Sequence, residues 1–149
     1  MSAELRRQAI RLLARREHTR AELRRKLTAL GTGEEIDAVL AELEAAHLQS
    51  DQRYAEAYLR GHAARFGAAR LRQSLRTRGL SDEIIESELR EAALPDELQR
   101  ARDVWRRKFS AVPGDAREWA RQARFLQGRG FATDTIRRLL KSAPDEDAS

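Results

Sequence analysis

Arginine is the residue type of this chain most suited to specific chemistry. The chain has 26 arginines but only 3 lysines. Within residues 57–81 there are six arginines and no acidic residue. A guanidinium stays charged and can donate two parallel hydrogen bonds to a phosphate or a carboxylate. The composition therefore indicates a protein that binds an anion. The six arginines are Arg60, Arg65, Arg70, Arg72, Arg76 and Arg78.

Charge alternates along the chain in blocks that follow one another in regular order. Basic blocks cover residues 1–30, 57–81 and 99–141, acidic blocks cover 31–56 and 82–98, and the net charge of the whole chain is +5. Arginine is a good helix former, which accounts for its abundance but not for the blocks. Acidic helices could neutralise the basic helices they touch, through surface ion pairs of roughly 0–1 kcal/mol each. Both uses of the charge remain open at this point.

Residues with the spacing of a catalytic or metal site do not occur. His18, His47 and His62 lie far apart, and cysteine is missing altogether. The sequence has no glycine-rich loop followed by Lys-Ser or Lys-Thr, which an ATP-hydrolysing protein would use. The acidic pairs stand where helices are predicted to begin and are explained by the helix dipole. We therefore predict a protein that is not an enzyme and that needs no metal or cofactor.

The arginines must be positioned by helices, because apolar residues recur at helical spacing along the chain. A leucine four residues ahead of a glycine occurs three times, beginning at Leu27, Leu75 and Leu126, at intervals of about 50 residues. The predicted fold is all-α, with three tandem three-helix repeats, about nine helices in all, in an elongated, curved array. The predicted repeats cover residues 1–48, 49–94 and 95–142, and an acidic tail covers 143–149.

Local signals predict how individual helices begin and end. Thr19 and Glu22 have the spacing of a capping box, in which each side chain bonds the other residue's backbone N–H. Gly31 is expected to end the second helix in a left-handed conformation, and Asp51 is expected to cap the fourth. Trp119 is expected to anchor the core of the third repeat, as is Trp105.

The spacing of leucines in the predicted helix between Gly67 and Gly79 indicates which of its arginines face outward. If Leu71 and Leu75 face the core, Arg72 and Arg76 project from one flank and Arg70 from the other, at about 100° per residue. The third repeat offers a similar pair on its second helix. The predicted contact set for a partner or a phosphate is Arg70, Arg72, Arg76, Arg121, Arg124 and Arg129.

Four strings resemble those of the RecX family of bacterial recombination regulators. They are AELRRKL at 21–27, LQSDQRYA at 48–55, GAARLRQSLRTRG at 67–79 and RFLQGRGF at 124–131. The chain departs from the family at His47, where members commonly have a glycine. The resemblance covers roughly residues 3–141 and implies three tandem three-helix repeats that bind the RecA nucleoprotein filament. It further implies that the protein lodges in the filament groove and depresses ATP hydrolysis, coprotease activity and strand exchange.

Two other functions remain open on the residues alone. One is an autonomous helical DNA-binding module, for which Gln73 and Gln122 are the only base-reading candidates in the basic second helices. The other is a structural scaffold held together by its own ion pairs. Weak binding to single- or double-stranded DNA is compatible with the resemblance. The charged start and the lack of an apolar run of roughly 20 residues predict a cytoplasmic protein without membrane contact. We expect a monomer.

Overall fold

The computed structural model describes the backbone of residues 2–148 and the side chains of 3–141. Within these residues the chain forms nine α-helices and no strand, which confirms the all-α prediction. One 3-10 turn, Thr28–Leu30, follows the second helix. The helices are α1 Ser2–Arg15, α2 Arg20–Leu27, α3 Gly33–Ala45, α4 Asp51–His62, α5 Ala68–Thr77, α6 Asp82–Glu91, α7 Glu97–Lys108, α8 Ala116–Gly128 and α9 Thr133–Ala148.

The predicted capping box at the start of α2 is present. The Glu22 backbone N–H donates to Thr19 Oγ1 at 3.0 Å, and the Thr19 N–H donates to Glu22 Oε1 at 2.9 Å. The Thr19 hydroxyl also donates to the Arg78 carbonyl at 2.7 Å. Two N–H groups that the helix cannot satisfy are thus bonded locally.

Gly31 does not end its helix in the predicted way. Its backbone is extended, with φ −176°, because the 3-10 turn intervenes between α2 and the glycine. Gly79 and Gly130, after α5 and α8, do adopt positive φ, at 93° and 90°. After Gly130, the Phe131 N–H donates to the Leu126 carbonyl at 3.2 Å, which closes the end of α8. The left-handed prediction was therefore wrong at Gly31.

Asp51 was also assigned the wrong role. Ser50 caps α4, because its hydroxyl oxygen accepts from the Arg53 N–H at 3.1 Å. The Asp51 carboxylate instead accepts from the Arg20 N–H at 2.8 Å and from the Gln49 amide at 2.9 Å. Asp51 therefore accepts a hydrogen bond from the first backbone N–H of α2, which is distant in sequence, and not from its own helix.

The chain divides into two compact units, each with its own core. Unit 1 comprises Met1–Ala57 and Leu75–Glu88, and unit 2 comprises Tyr58–Ser74 and Leu89–Ser149. In unit 1, α1, α2 and α3 bury a cluster of aliphatic side chains, which explains why these three amphipathic helices pack together. The cluster consists of Leu5, Ala9, Leu23, Leu27, Ile36, Val39, Leu40 and Leu43.

In unit 2, α7, α8 and α9 bury a cluster that includes Val104, Leu126 and Leu139. Trp105 packs partly buried against it, but Trp119 is 37% exposed and does not anchor the core as predicted. Gln122, only 2% exposed, faces inward from α8, where its Oε1 accepts from Trp105 Nε1 at 2.7 Å.

The predicted repeat boundaries at 1–48, 49–94 and 95–142 remain predictions. The predicted acidic tail, 143–149, lies outside the residues whose side chains are described. Across the described residues, no helix combines the length and the apolar character that crossing a bilayer requires.

Candidate anion-binding surface

Three phenylalanines of unit 2 bring basic side chains together. The rings of Phe109 and Phe125 meet edge to face at 5.4 Å between centroids, and Phe66 lies in the turn between α4 and α5. Each ring carries at least one cation within 6 Å of its centroid, in the range of cation–π attraction. We call this group the cation–phenylalanine cluster, and its cations are Arg65, Arg70, Lys108, Arg121 and Arg129.

A buried arginine on α7 holds the turn that carries Phe66. Arg100, 7% exposed, donates to the carbonyls of Ala63 at 3.1 Å, Pro95 at 2.9 Å and Phe66 at 3.3 Å. Burial lowers the pKa of Arg100, yet an arginine starts so far above neutrality that it keeps its charge. Arg100 therefore satisfies the Ala63 carbonyl just after α4, together with the Phe66 carbonyl in the turn to α5 and the Pro95 carbonyl ahead of α7.

A carboxylate one turn earlier fixes the starts of two other helices. Glu97 Oε1 accepts from the Ala68 N–H at 2.9 Å, where α5 begins. Its other oxygen accepts from the Ala132 N–H at 3.2 Å and the Thr135 hydroxyl at 3.1 Å, where α9 begins. The first turn of α7 thus sets the position of the Arg65–Arg70 segment.

Two glycines permit the close approach of the α5 start to the end of α8. The Gly67 N–H donates to the Arg129 carbonyl at 2.8 Å. A Cβ at Gly67 would lie 2.3 Å from the Gly130 oxygen, and a Cβ at Gly130 would lie 2.2 Å from the Arg70 Cβ. No larger residue fits either place without backbone movement. This approach brings Arg70 and Arg129 to the same Phe66 ring, at 4.9 Å and 5.5 Å.

Arg129 is within cation–π range of a second ring, because its guanidinium carbon is also 5.1 Å from the Phe125 centroid. Beside it opens a cavity of about 240 Å³, which we call the basic pocket. Four of the six side chains that line the pocket are cations, and none is acidic. The lining residues are Arg65, Val104, Arg107, Lys108, Phe125 and Arg129.

The predicted contact residues of unit 2 differ in their partners. Arg70 is exposed and donates to the Gly128 carbonyl at 2.7 Å. Arg121 forms a two-pronged ion pair with Glu118, at 2.9 Å and 2.7 Å. These bonds from Arg121, with a further one from Gln122, lower the pKa of Glu118 to about 2. The Arg124 side chain is exposed and makes no hydrogen bond, ion pair or ring contact with a described residue.

The remaining two predicted residues do not join the cluster. Arg76, in unit 1, pairs with Asp82 at 2.7 Å, and both side chains are exposed. Arg72 is half-buried and has contacts of its own within the protein. The structure therefore brings Arg70 and Arg129 together on one ring and places Arg121 on another.

Sequence reasoning missed Arg65, Arg107 and Lys108 as pocket residues. The available signal was adjacency of a cation to a phenylalanine, as in Arg65-Phe66 and Lys108-Phe109. It also treated Gln122 as a candidate for reading bases. That role is excluded, because the buried amide is bonded to the Ala111 carbonyl at 3.0 Å and to Glu118 at 3.1 Å.

The nine helices of the described residues define a class, that of all-α proteins built from successive helical units. Three family models match successive parts of the chain. They describe the first, second and third three-helix domains of RecX, at residues 6–43, 50–94 and 95–140. The chain belongs to the RecX family.

Curated relatives and solved structures agree with this assignment. Regulatory protein RecX of Leptothrix cholodnii is 46% identical to this chain, over 93% of this chain and 88% of the relative. Regulatory protein RecX of Chromobacterium violaceum is 43% identical, over 99% of this chain and 97% of the relative. The crystal structure of RecX from Lactobacillus salivarius superposes with a TM-score of 0.79 over 95% of both chains. Because it is only 20% identical, it supports the fold alone.

Proposed function

We propose that this protein is a negative regulator of the RecA recombinase and not an enzyme. In this proposal it binds in the groove of the RecA–DNA filament, in the cytoplasm, and depresses ATP hydrolysis, coprotease activity and strand exchange. The observation that carries the proposal is the similarity, over nearly the full chain, to proteins named Regulatory protein RecX.

The cation–phenylalanine cluster supports the choice of an anionic partner. Arg121 pairs with Glu118, but Arg70 and Arg129 face rings and backbone carbonyls, so most of their N–H donors remain available to an external group. A nucleoprotein filament offers DNA phosphates and protein carboxylates along one groove. The proposed contact set is still the six arginines Arg70, Arg72, Arg76, Arg121, Arg124 and Arg129, and we add Arg65 because it lies near the same Phe66 ring.

The direct test is the single-strand-dependent ATPase of RecA, measured against increasing amounts of this protein. Strong loss at a small fraction of the RecA concentration would indicate that the protein caps filament ends. Loss only near saturation would indicate that it occupies the groove. An ATPase unaffected at any ratio would contradict the proposal.

Two double variants divide the contact set. Charge reversal of Arg70 and Arg129 should abolish suppression of the ATPase, because both belong to one cluster. Charge reversal of Arg72 and Arg76 should weaken suppression less, since Arg76 already pairs with Asp82. Circular dichroism would establish that each variant keeps its helicity. Unchanged inhibition by either variant removes that pair from the contact set.

A further inference from the structure

A cavity of unit 1 is lined by hydrogen-bond acceptors and has a volume of about 340 Å³. Its walls are the end of α3, the start of α4 and Ile84 of α6. Two carboxylates, Glu44 and Asp51, line it, and none of its described lining residues is a lysine or an arginine. In a chain of net charge +5, the composition does not explain such a cavity. We call it the acidic pocket, and its lining also includes His47, Gln49 and Gln52.

A buried acceptor in the wall of the acidic pocket has no donor. Gln49 is 1% exposed, and its Oε1 accepts no hydrogen bond from any described residue. The orientation of this amide is fixed, because Nε2 donates to two acceptors, the His18 carbonyl at 3.3 Å and Asp51 Oδ1 at 2.9 Å. A buried acceptor without a donor is costly, so an N–H group placed in the pocket would be stabilising.

The two carboxylates of the pocket also keep acceptor positions for an external donor. Asp51 Oδ1 accepts from the Arg20 N–H and the Gln49 amide, but Oδ2 bonds to nothing in the described part of the chain. Glu44 is exposed and forms no ion pair with a described residue. The charge of the pocket is therefore not neutralised by the described residues around it.

The helix dipole explains one of these carboxylates but not the other. Asp51 begins α4, where the positive end of the dipole favours an anion. Glu44 lies in the last turn of α3, where the dipole disfavours an anion, and that turn contains no basic residue. Arg53, which reaches the His47 carbonyl beside the pocket, pairs with Glu17 instead. A cation from another molecule would therefore stabilise Glu44 where it stands.

We propose that the acidic pocket binds the guanidinium of an arginine side chain presented by a partner protein. A guanidinium has five N–H donors in one plane and can bond carboxylate and amide oxygens together, whereas an ammonium has three. The cavity of about 340 Å³ is roughly eleven times the volume of a water molecule in the liquid. It therefore has room for the guanidinium and its methylene stem, and the half-buried Ile84 offers the stem an apolar contact. Leu48, 47% exposed in the turn between His47 and Gln49, offers a further apolar contact, which favours a protein surface over a free cation.

The test is an NMR titration of the isotope-labelled full chain, without RecA, with a short capped peptide that has one arginine between two leucines. We expect the backbone amides of residues 47–52 and the Gln49 side-chain amide to shift, with an affinity of about 1 mM. The same peptide with citrulline, a neutral isostere of arginine, should bind about tenfold more weakly, because the charge-assisted bonds are lost. The lysine peptide should bind about threefold more weakly, since an ammonium has fewer donors. Ethylguanidinium alone should also bind about threefold more weakly, because it lacks the apolar contacts of the peptide.

Two single variants test the carboxylates. Asp51→Asn keeps an Oδ1 that can accept from Arg20 and Gln49 but replaces Oδ2 by a donor, so the arginine peptide should bind about tenfold more weakly. Glu44→Gln, at an exposed position, should weaken binding about threefold. The matched control is Glu34→Gln, which removes the same charge from an exposed residue of the same helix outside the pocket. The control should leave the affinity within about 1.5-fold, because distant surface charges are screened. Circular dichroism establishes that each variant keeps its helicity.

Three outcomes would overturn the proposal. They are an arginine peptide that shifts no signal of residues 47–52, equal binding of the citrulline peptide, and equal losses in Asp51→Asn and the Glu34→Gln control. Equal binding of the lysine peptide would overturn the choice of a guanidinium, and equal binding of ethylguanidinium would overturn the choice of a protein as its source. This proposal does not rest on RecA regulation. Intact suppression of the RecA ATPase by a protein that binds no arginine peptide would reject the pocket and keep the regulator.

Discussion

The two units use the same residue type in different ways. In unit 1, arginines pair with carboxylates brought close by folding. Arg6 reaches Glu42 at 2.6 Å, Arg24 reaches Asp37 at 3.0 Å, and Arg53 bonds Glu17. In unit 2, Arg65 and Arg129 lie instead against phenylalanine rings and carbonyls.

This difference shows why a count of arginines does not locate a binding surface. A carboxylate neutralises the charge of a guanidinium and accepts its N–H hydrogen bonds. An aromatic ring attracts the charge through its face but leaves the in-plane N–H groups free to donate. The acidic blocks predicted from the sequence do neutralise arginines of unit 1, such as Arg6 and Arg24. The cation–phenylalanine cluster and the basic pocket both belong to unit 2.

The largest effect is expected where unit 2 depends on a buried cation. Arg100→Ala leaves three carbonyls without a donor and opens a void, which should lower the free energy of unfolding by about 3–4 kcal/mol. Arg106→Ala, on the exposed face of the same helix, should change it by no more than about 0.5 kcal/mol. Urea unfolding measures both. A loss below about 1 kcal/mol for Arg100→Ala would show that the three bonds do not hold the turn.

Gly130→Ala should be the next most damaging change. The new Cβ would meet the Arg70 backbone and require a positive φ, so we expect a loss of about 3 kcal/mol from strain and crowding. Gly114→Ala is the matched control, because nothing lies within 4 Å of a Cβ there. The same urea titration applies. Equal effects at the two glycines would contradict the close approach of α5 and α8.

His47→Gly should stabilise unit 1. His47 ends α3 with a φ of 61°, a conformation that disfavours a side chain by roughly 1–2 kcal/mol. Glycine relieves this strain but gains freedom in the unfolded chain, so the net gain should be about 0.5–1 kcal/mol. A raised urea midpoint would confirm the gain, and a lowered one would show that the imidazole makes a contribution that outweighs its strain.

The smallest effect concerns the paired arginine of unit 2. Arg121 lowers the pKa of Glu118 to about 2, below the ordinary value of 4.5. The stability from this pair is therefore present above the ordinary pKa and is lost as pH falls through about 2. Arg121→Gln should return the Glu118 pKa toward its ordinary value, as measured by NMR titration of the side chain. A pKa that stays near 2 would mean that the Gln122 amide, not Arg121, is the main cause.

Sequence patterns predicted the helices and the family well, because helical periodicity and capping boxes are local. They failed where a distant residue decides the outcome. Asp51 was expected to cap its own helix, but its carboxylate accepts from the Arg20 N–H. Trp119 has the spacing of a core residue but is exposed, whereas Gln122 is buried and bonds Trp105. The contact set remains a prediction, and the structure brings only part of it together for the same reason. Helical spacing in the sequence placed Arg72 and Arg76 on one flank. In the structure, the close approach of Gly67 to Gly130 brings Arg70 and Arg129 to the same ring, and this approach cannot be read from the sequence.

One assay can compare the arginines of unit 2 with the carboxylate-paired arginines of unit 1. We would titrate RecA's single-strand-dependent ATPase with two double variants. The unit 2 variant carries Arg70→Gln and Arg129→Gln. The unit 1 variant carries Arg20→Gln and Arg24→Gln, and so loses two arginines that pair with Asp37. Both variants lose the same charge. We expect suppression to be lost in the unit 2 variant and kept in the unit 1 variant. Equal loss in both, or loss in the unit 1 variant alone, would contradict this expectation.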